Sequence, residues 1–183
     1  LLEWGVSELL DLELEATPEA LLPRLRGAHA RPLKRRVEKM LSQYVSAYAG
    51  TLVRAACEVA VDGGGAPELA GRFGVEPRTI AAWCRREALP APRRLQAWLR
   101  VLLAATLLEE PERSVTNAAR CAGYANDHAL RRAMRDLAGS DPSTLPRDRL
   151  FAAAAERFNA ELRDLRELVR ERRRAGRAAR DFD

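Results

Sequence analysis

Histidine is almost missing from this 183-residue chain, and the three cysteines, Cys57, Cys84 and Cys121, stand far apart. With only His29 and His128 beside them, no ligand set recurs at the spacing of a zinc or iron site, and none is expected. The cysteines read as small buried thiols in a reducing, cytoplasmic setting without a disulfide. Aromatic residues make up 5% of the chain and strand formers are scarce, which excludes a fold built on large sheets. No apolar run approaches eighteen residues, so no membrane span is expected, and no signal-peptide pattern is present. Paired carboxylates and nucleophile–base sets are also lacking, and His128 alone is a poor general base; the chain is expected not to be an enzyme and to need no cofactor. It opens at Leu1 rather than Met, as though cut from something longer.

What is abundant is Ala, Leu, Arg and Glu, the strong helix formers, so a mainly α fold is expected. Apolar residues reach 47% and charged residues 31%, and the net charge of +5 conceals a gradient. Residues 1–30 carry two basic and six acidic side chains, a balance of −4, whereas 31–65, 66–146 and 147–183 each stand at +3. A basic body behind an acidic head suits a polyanionic partner.

Residues 1–30 alternate apolar and acidic side chains from Leu10 to Glu15, which predicts a strand. Thr17 as N-cap, Pro18 at the first helical position and Glu19 in the first turn then predict a helix. Residues 31–60 read as one long helix with Leu33, Val37, Met40, Leu41, Tyr44, Tyr48, Leu52 and Val59 along one stripe, partly at coiled-coil spacing. The glycine-rich segment 61–66 reads as a flexible linker. Residues 147–183 form a last helix whose Phe151, Ala155, Phe158, Leu162, Leu165 and Val169 make a short a/d seam. That seam either zips two chains together or lies on the same chain. The closing "RERRRAGRAAR" is either a solvated helix end or an arm that contacts phosphate.

Residues 67–146 hold two helix–corner–helix units joined by a long helix, "RRLQAWLRVLLAATLLEE". In "APELAGRFGVEPRTIAAWCRRE", Gly74 ends a short helix and Pro77 restarts the chain. In "SVTNAARCAGYANDHALRRAMRDL", Ser114 caps a short helix, Gly123 ends it, and Asn126 or Asp127 caps the next. Short helices joined by a three- to four-residue corner with glycine match the helix-turn-helix pattern. The small Ala118, Ala119 and Ala122 permit a close crossing. On the second outer helix, Leu130, Ala133, Met134 and Leu137 point to a core, while His128, Arg131, Arg132 and Arg135 form the opposite stripe. On the first, Ile80, Trp83 and Cys84 point inward; Arg78, Ala81, Ala82 and Arg85 point outward. A major groove admits one helix, and arginine reaches both acceptors of a guanine edge. Two alanines read poorly, so the first unit is expected chiefly to place phosphate contacts through Arg85, Arg86, Arg93 and Arg94.

With these residues in view, the chain resembles the DNA-binding domain of the AraC/XylS family of transcription regulators. The likeness is carried by "LAGRFGVEPRTI", by Arg100, Ala104, Leu107 and Leu108 of the joining helix, by the Gly123-Tyr124 corner and by Gly139-Ser140-Asp141-Pro142. It implies two recognition helices entering successive major grooves of duplex DNA. The candidate DNA-binding residues are Arg78, Ala81, Ala82, Arg85, Arg86, Asn126, Asp127, His128, Arg131, Arg132 and Arg135. Ala82 departs from the arginine usual in the family's first recognition helix. Separately, "GVSELLDLELEATPEALLPRLR" resembles the last strand and helix of a response-regulator receiver domain that lacks the family's Lys-Pro pair. The resulting expectation is a mainly α chain: a receiver-like fragment over 1–30, a coupling helix at 31–60, a linker at 61–66, the double helix-turn-helix at 67–146 and a terminal helix over 147–183. Homodimer formation through helix 31–60, helix 148–170 or both is a further expectation. The alternative is a scaffold that keeps the fold without reading DNA.

Overall fold

The computed structural model describes residues 17–41 and 45–178, which contain eight α-helices and no strand. In order these are α1 (Pro18–Leu41), α2 (Ala47–Val61), α3 (Ala66–Arg72), α4 (Pro77–Arg86), α5 (Pro92–Leu108), α6 (Val115–Cys121), α7 (Asp127–Ala138) and α8 (Leu150–Ala178). A short 3-10 turn, Arg147–Arg149, leads into α8. The strand expected over Leu10–Glu15 lies outside the described residues.

Local chemistry sets most of the helix starts. Proline occupies the first position of α1, α4 and α5 and the second of α3, where a missing N–H costs nothing. Ser46, Ser114 and Asn126 each turn a side-chain oxygen onto the backbone N–H three residues ahead, at 2.9–3.1 Å, and so cap α2, α6 and α7.

Two expectations change here. The single helix over 31–60 is two helices: α1 runs unbroken through residues 30 and 31 to Leu41, and α2 begins afresh behind the Ser46 cap. The helices pack on each other, with Leu33, Val37 and Leu41 buried on α1 and Leu52, Val53, Ala56 and Cys57 on α2. A continuous stripe of 4-3-4 spacing is equally served by a rod and by a hairpin, and burial favours the hairpin. Of the stripe's two tyrosines, Tyr44 lies outside the described residues and Tyr48 is 39% exposed.

The glycine segment is the second change. Gly63 takes φ +75°, Gly64 donates its N–H to the Val59 carbonyl at 2.8 Å, and Arg100 of α5 donates to the carbonyls of Gly63 and Gly64 at 2.6 and 2.7 Å. A Cβ on Gly64 would fall 2.9 Å from Val59 Cγ1, so the turn is too tight for a side chain. The segment is an anchored turn that carries the chain from α2 into α3.

α5 is the hub. Twelve of its seventeen residues are buried, Leu95, Leu99, Leu102 and Leu103 completely or nearly so, and α2, α6, α7 and α8 pack around it. Truncating any of these leucines to alanine is worth about 2–5 kcal/mol of stability. α8 runs along α5 and α7 and buries Phe151, Ala154, Ala155, Phe158 and Leu162, with the Phe158 and Trp98 rings 5.3 Å apart. The first four residues of the expected seam are therefore used within the chain. Beyond them Leu165 and Val169 are half-buried and Leu168 is 49% exposed. Polar ties fix the packing: Glu161 of α8 accepts from Arg94 at 2.5 and 2.8 Å and from the Trp98 indole at 2.7 Å. Arg36 of α1 pairs with Glu109 and sits 3.7 Å over the Phe151 ring. Arg147 directs one guanidinium nitrogen to the carbonyls of Glu110, Pro111 and Arg113 at 2.8–3.1 Å and to that of Leu108 at 3.4 Å, capping the end of α5.

Candidate nucleic-acid interface

Each helix–corner–helix unit is built the same way: a short helix, a glycine in the left-handed region, and a second helix whose inner face is buried. In the first, α3 ends at a corner where Gly74 has φ +62° and the Val75 N–H returns to the Ala70 carbonyl. α4 then buries Ile80 and Cys84. Trp83 is half-buried, edge-on to Tyr48 and Phe73 with ring centroids 5.6 and 5.8 Å away. Its other side presents Arg78, Ala82, Arg85 and Arg86 to solvent, with Ala81 half-buried. Arg86 is held 4.9 Å over the Tyr48 ring and against Glu87. Arg94 is committed to Glu161 on α8, while Arg93 is exposed at the start of α5. Glu161 raises the Arg94 pKa, chiefly by hydrogen bonding.

In the second unit Ala118, Ala119 and Ala122 are fully buried, as expected of a close crossing. The corner closes through Tyr124 N–H to the Ala119 carbonyl at 2.9 Å, with Gly123 at φ +77°. α7 buries Leu130 and Met134 and half-buries Ala133 and Leu137. His128, Arg132 and Arg135 are exposed on the other side; Asn126 is exposed and its Oδ1 caps the helix; Asp127 is half-buried.

Arg131 departs from the outward stripe. Its side chain is 28% exposed and donates to Asp141 at 2.5 Å, with Asp127 at 3.8 Å on its other side. Arg135 reaches the same Asp141 at 2.7 Å, and Ser143 adds its N–H at 3.1 Å and its hydroxyl at 2.8 Å. Partial burial pushes the Asp141 carboxyl up, but the Ser143 hydrogen bonds and the Arg131 charge outweigh it and bring it down to about 2. Asp141 thus ties two of the three arginines of α7 to the turn that follows it. His128 and Arg132 have no hydrogen bond or ion pair among the described residues, and they form the free end of the stripe.

Three residues that matter were not placed among the candidates: Asp141, Arg147 and Arg100. The sequence carried a signal for the first, since Asp-Pro-Ser after a helix-ending glycine favours an aspartate that folds back onto the backbone. Arg100 stood out only as part of the family likeness, and nothing local marked what it or Arg147 would bind, since their partners lie more than thirty residues away. Among the described residues no three His, Cys, Asp or Glu side chains converge as a metal site, and no helix is long and apolar enough to cross a membrane.

Two solvated helices, each backed by a buried face and preceded by a tight corner, define a helix-turn-helix arrangement. The comparison with known families agrees: residues 69–148 match the family described as "Helix-turn-helix domain", a span reaching from within α3 through both corners to the 3-10 turn. No curated protein and no solved structure matches the chain. Over residues 69–148 the chain is similar to that family.

Proposed function

We propose that this domain is a double helix-turn-helix of the AraC/XylS type and that the chain is a sequence-specific DNA-binding regulator of transcription, acting in the cytoplasm without catalysis. The observation that carries the reading is the coincidence of the matched span, 69–148, with two exposed cationic helices, α4 and α7, on one α5 frame. In this reading α4 and α7 enter successive major grooves of duplex DNA. Arg132 and His128 address base edges, because they are exposed and uncommitted. Arg78, Arg85 and Arg86 address phosphate, since Ala81 and Ala82 offer only methyl contacts. Arg131 and Arg135 orient α7 through Asp141.

The test is selection of bound duplexes from random DNA, followed by anisotropy titration of the preferred site with Arg132→Ala. A loss of about 1–3 kcal/mol on that site, with little loss on scrambled DNA, supports base readout. Equal weakening on every sequence reduces Arg132 to a phosphate contact. The alanines of α4 favour a second reading, a scaffold that keeps the fold without reading DNA. Absence of any binding at low salt, where counterion release favours association most strongly, would select it. The receiver-like origin of residues 1–30 rests on sequence resemblance alone. Pairing of two chains through α1–α2 or the outer half of α8 is part of the proposal, with the exposed Leu168 as its most accessible apolar contact.

A further inference from the structure

A groove of about 510 Å³ lies between the two helix-turn-helix units, with α5 as its floor. One wall is Pro67 near the start of α3 and Pro77 at the start of α4; the other is Tyr124 and Ala133 of the second unit. The floor holds Gln96, only 4% exposed, whose carboxamide nitrogen and oxygen both lack a hydrogen-bond partner among the described residues. The Tyr124 hydroxyl and Arg100 Nε, from the same lining, are buried and unpartnered as well. Buried polar groups are ordinarily satisfied, and here four atoms without a partner, from three residues, gather beneath one groove.

The chemistry of the lining narrows the occupant. Prolines and alanines give flat, shallow walls suited to a planar ring. Arg93 at the rim and Arg100 beneath supply positive charge, and no carboxylate lines the groove; the neighbouring Glu68 is turned onto the Gly65 N–H at 2.7 Å. Burial pushes the Tyr124 hydroxyl up to about 12 against the opposing pull of Arg100, so it stays protonated and can donate. The Gln96 amide offers one donor and one acceptor side by side. A phosphodiester has acceptors only and would leave the Gln96 oxygen unmatched. We infer that this groove binds a small planar organic anion carrying an amide-like donor–acceptor edge, with the edge on Gln96 and Tyr124 and the anionic group on Arg93. Pairing requires the Gln96 amide and Tyr124 side chain to turn toward the groove, a change of terminal torsions that such a ligand repays with hydrogen bonds. Because its walls belong to different units, an occupant sets the spacing of α4 and α7. Coupling to DNA rests on the function proposed above and is reciprocal; binding of the anion itself does not.

Orotate is the probe, since it joins an imide edge to a carboxylate on one flat ring. Uracil lacks the carboxylate and benzoate lacks the edge. Calorimetry on the full chain without DNA is expected to give orotate a Kd below about 1 mM, with both comparators at least about tenfold weaker. Gln96→Met keeps the volume and removes the amide, and is expected to keep the fold by circular dichroism while losing at least about tenfold in orotate affinity. Arg93→Gln, at an exposed rim position, should lose severalfold. The inference is overturned if orotate shows no saturable binding up to about 20 mM, or if Gln96→Met binds it as well as the parent. It is also overturned if Gln96→Met weakens duplex binding while orotate does not bind, because the groove then belongs to the DNA interface.

Discussion

Asp141→Asn isolates the device that holds α7. Asparagine mimics the protonated acid: it keeps the shape and can still accept from Ser143, but gives up the ion pairs to Arg131 and Arg135. The carboxyl is held at about 2, below its ordinary value of 3.8. At 1.36 kcal/mol per pKa unit the linkage ceiling is about 2.5 kcal/mol, and since the Ser143 hydrogen bonds lead the lowering, ahead of Arg131, and can persist to asparagine, we discount this to about 1–2 kcal/mol. The sign follows from the direction of the shift. A depressed carboxylate contributes its stability above its unfolded pKa and loses it as pH falls through the folded one. Asp141→Asn should therefore be less stable than the parent by about 1–2 kcal/mol at pH 7, or about 2–8 °C in Tm, and the gap should close between pH 4 and pH 2. Denaturant melts across that range are the assay. Equal stability at pH 7, or a gap that persists at pH 2, would refute the account of the Arg131–Asp141–Arg135 cluster. With two arginines released, the same variant should bind unspecific duplex more tightly at low salt, with a steeper salt dependence.

Further outcomes follow from other contacts. Arg147→Met keeps the stem but removes the donors that cap α5, and should cost about 1–3 kcal/mol in urea melts. Ala88, between α4 and α5, sits at φ +54°, so Ala88→Gly should raise stability by about 0.5–1 kcal/mol in the same melts. Burial pushes the Cys57 thiol up to about 12 and that of Cys84 up to about 11, whereas Cys121 is partly exposed. Iodoacetamide on the folded protein should alkylate Cys121 first, and mass spectrometry should find the other two modified only after unfolding.

How much of this was legible depends on how local the physics is. The prolines, Ser114, Asn126 and the glycines at 74 and 123 announced where helices begin and where the chain turns, because each acts on backbone within a few residues of itself. The buried stripes Ile80–Cys84 and Leu130–Met134 and the small residues of α6 were legible because periodicity marks one face of a helix wherever it packs. These local rules were enough to draw two corners on one α5 axis.

Periodicity does not say what covers an apolar face. The stripe over 31–60 served a rod or a hairpin equally, and only the burial of Leu33, Val37 and Leu41 made it the hairpin α1–α2. The seam from Phe151 to Leu162 suited a second chain or its own, and α5 and α7 took it. Charge likewise depends on distant partners. Arg131, at the helical phase of a groove-reading residue, is drawn to Asp141; Arg100 pins glycines 36 and 37 positions earlier; and Arg94 is drawn to Glu161. From residue 66 to 146, local pattern was enough to place the helices, their ends and their inner faces; over 31–60 it missed the break between α1 and α2. Which arginines stay open to a partner and which hold the frame was decided only when the helices packed, since an ion pair requires proximity that a one-dimensional pattern does not encode.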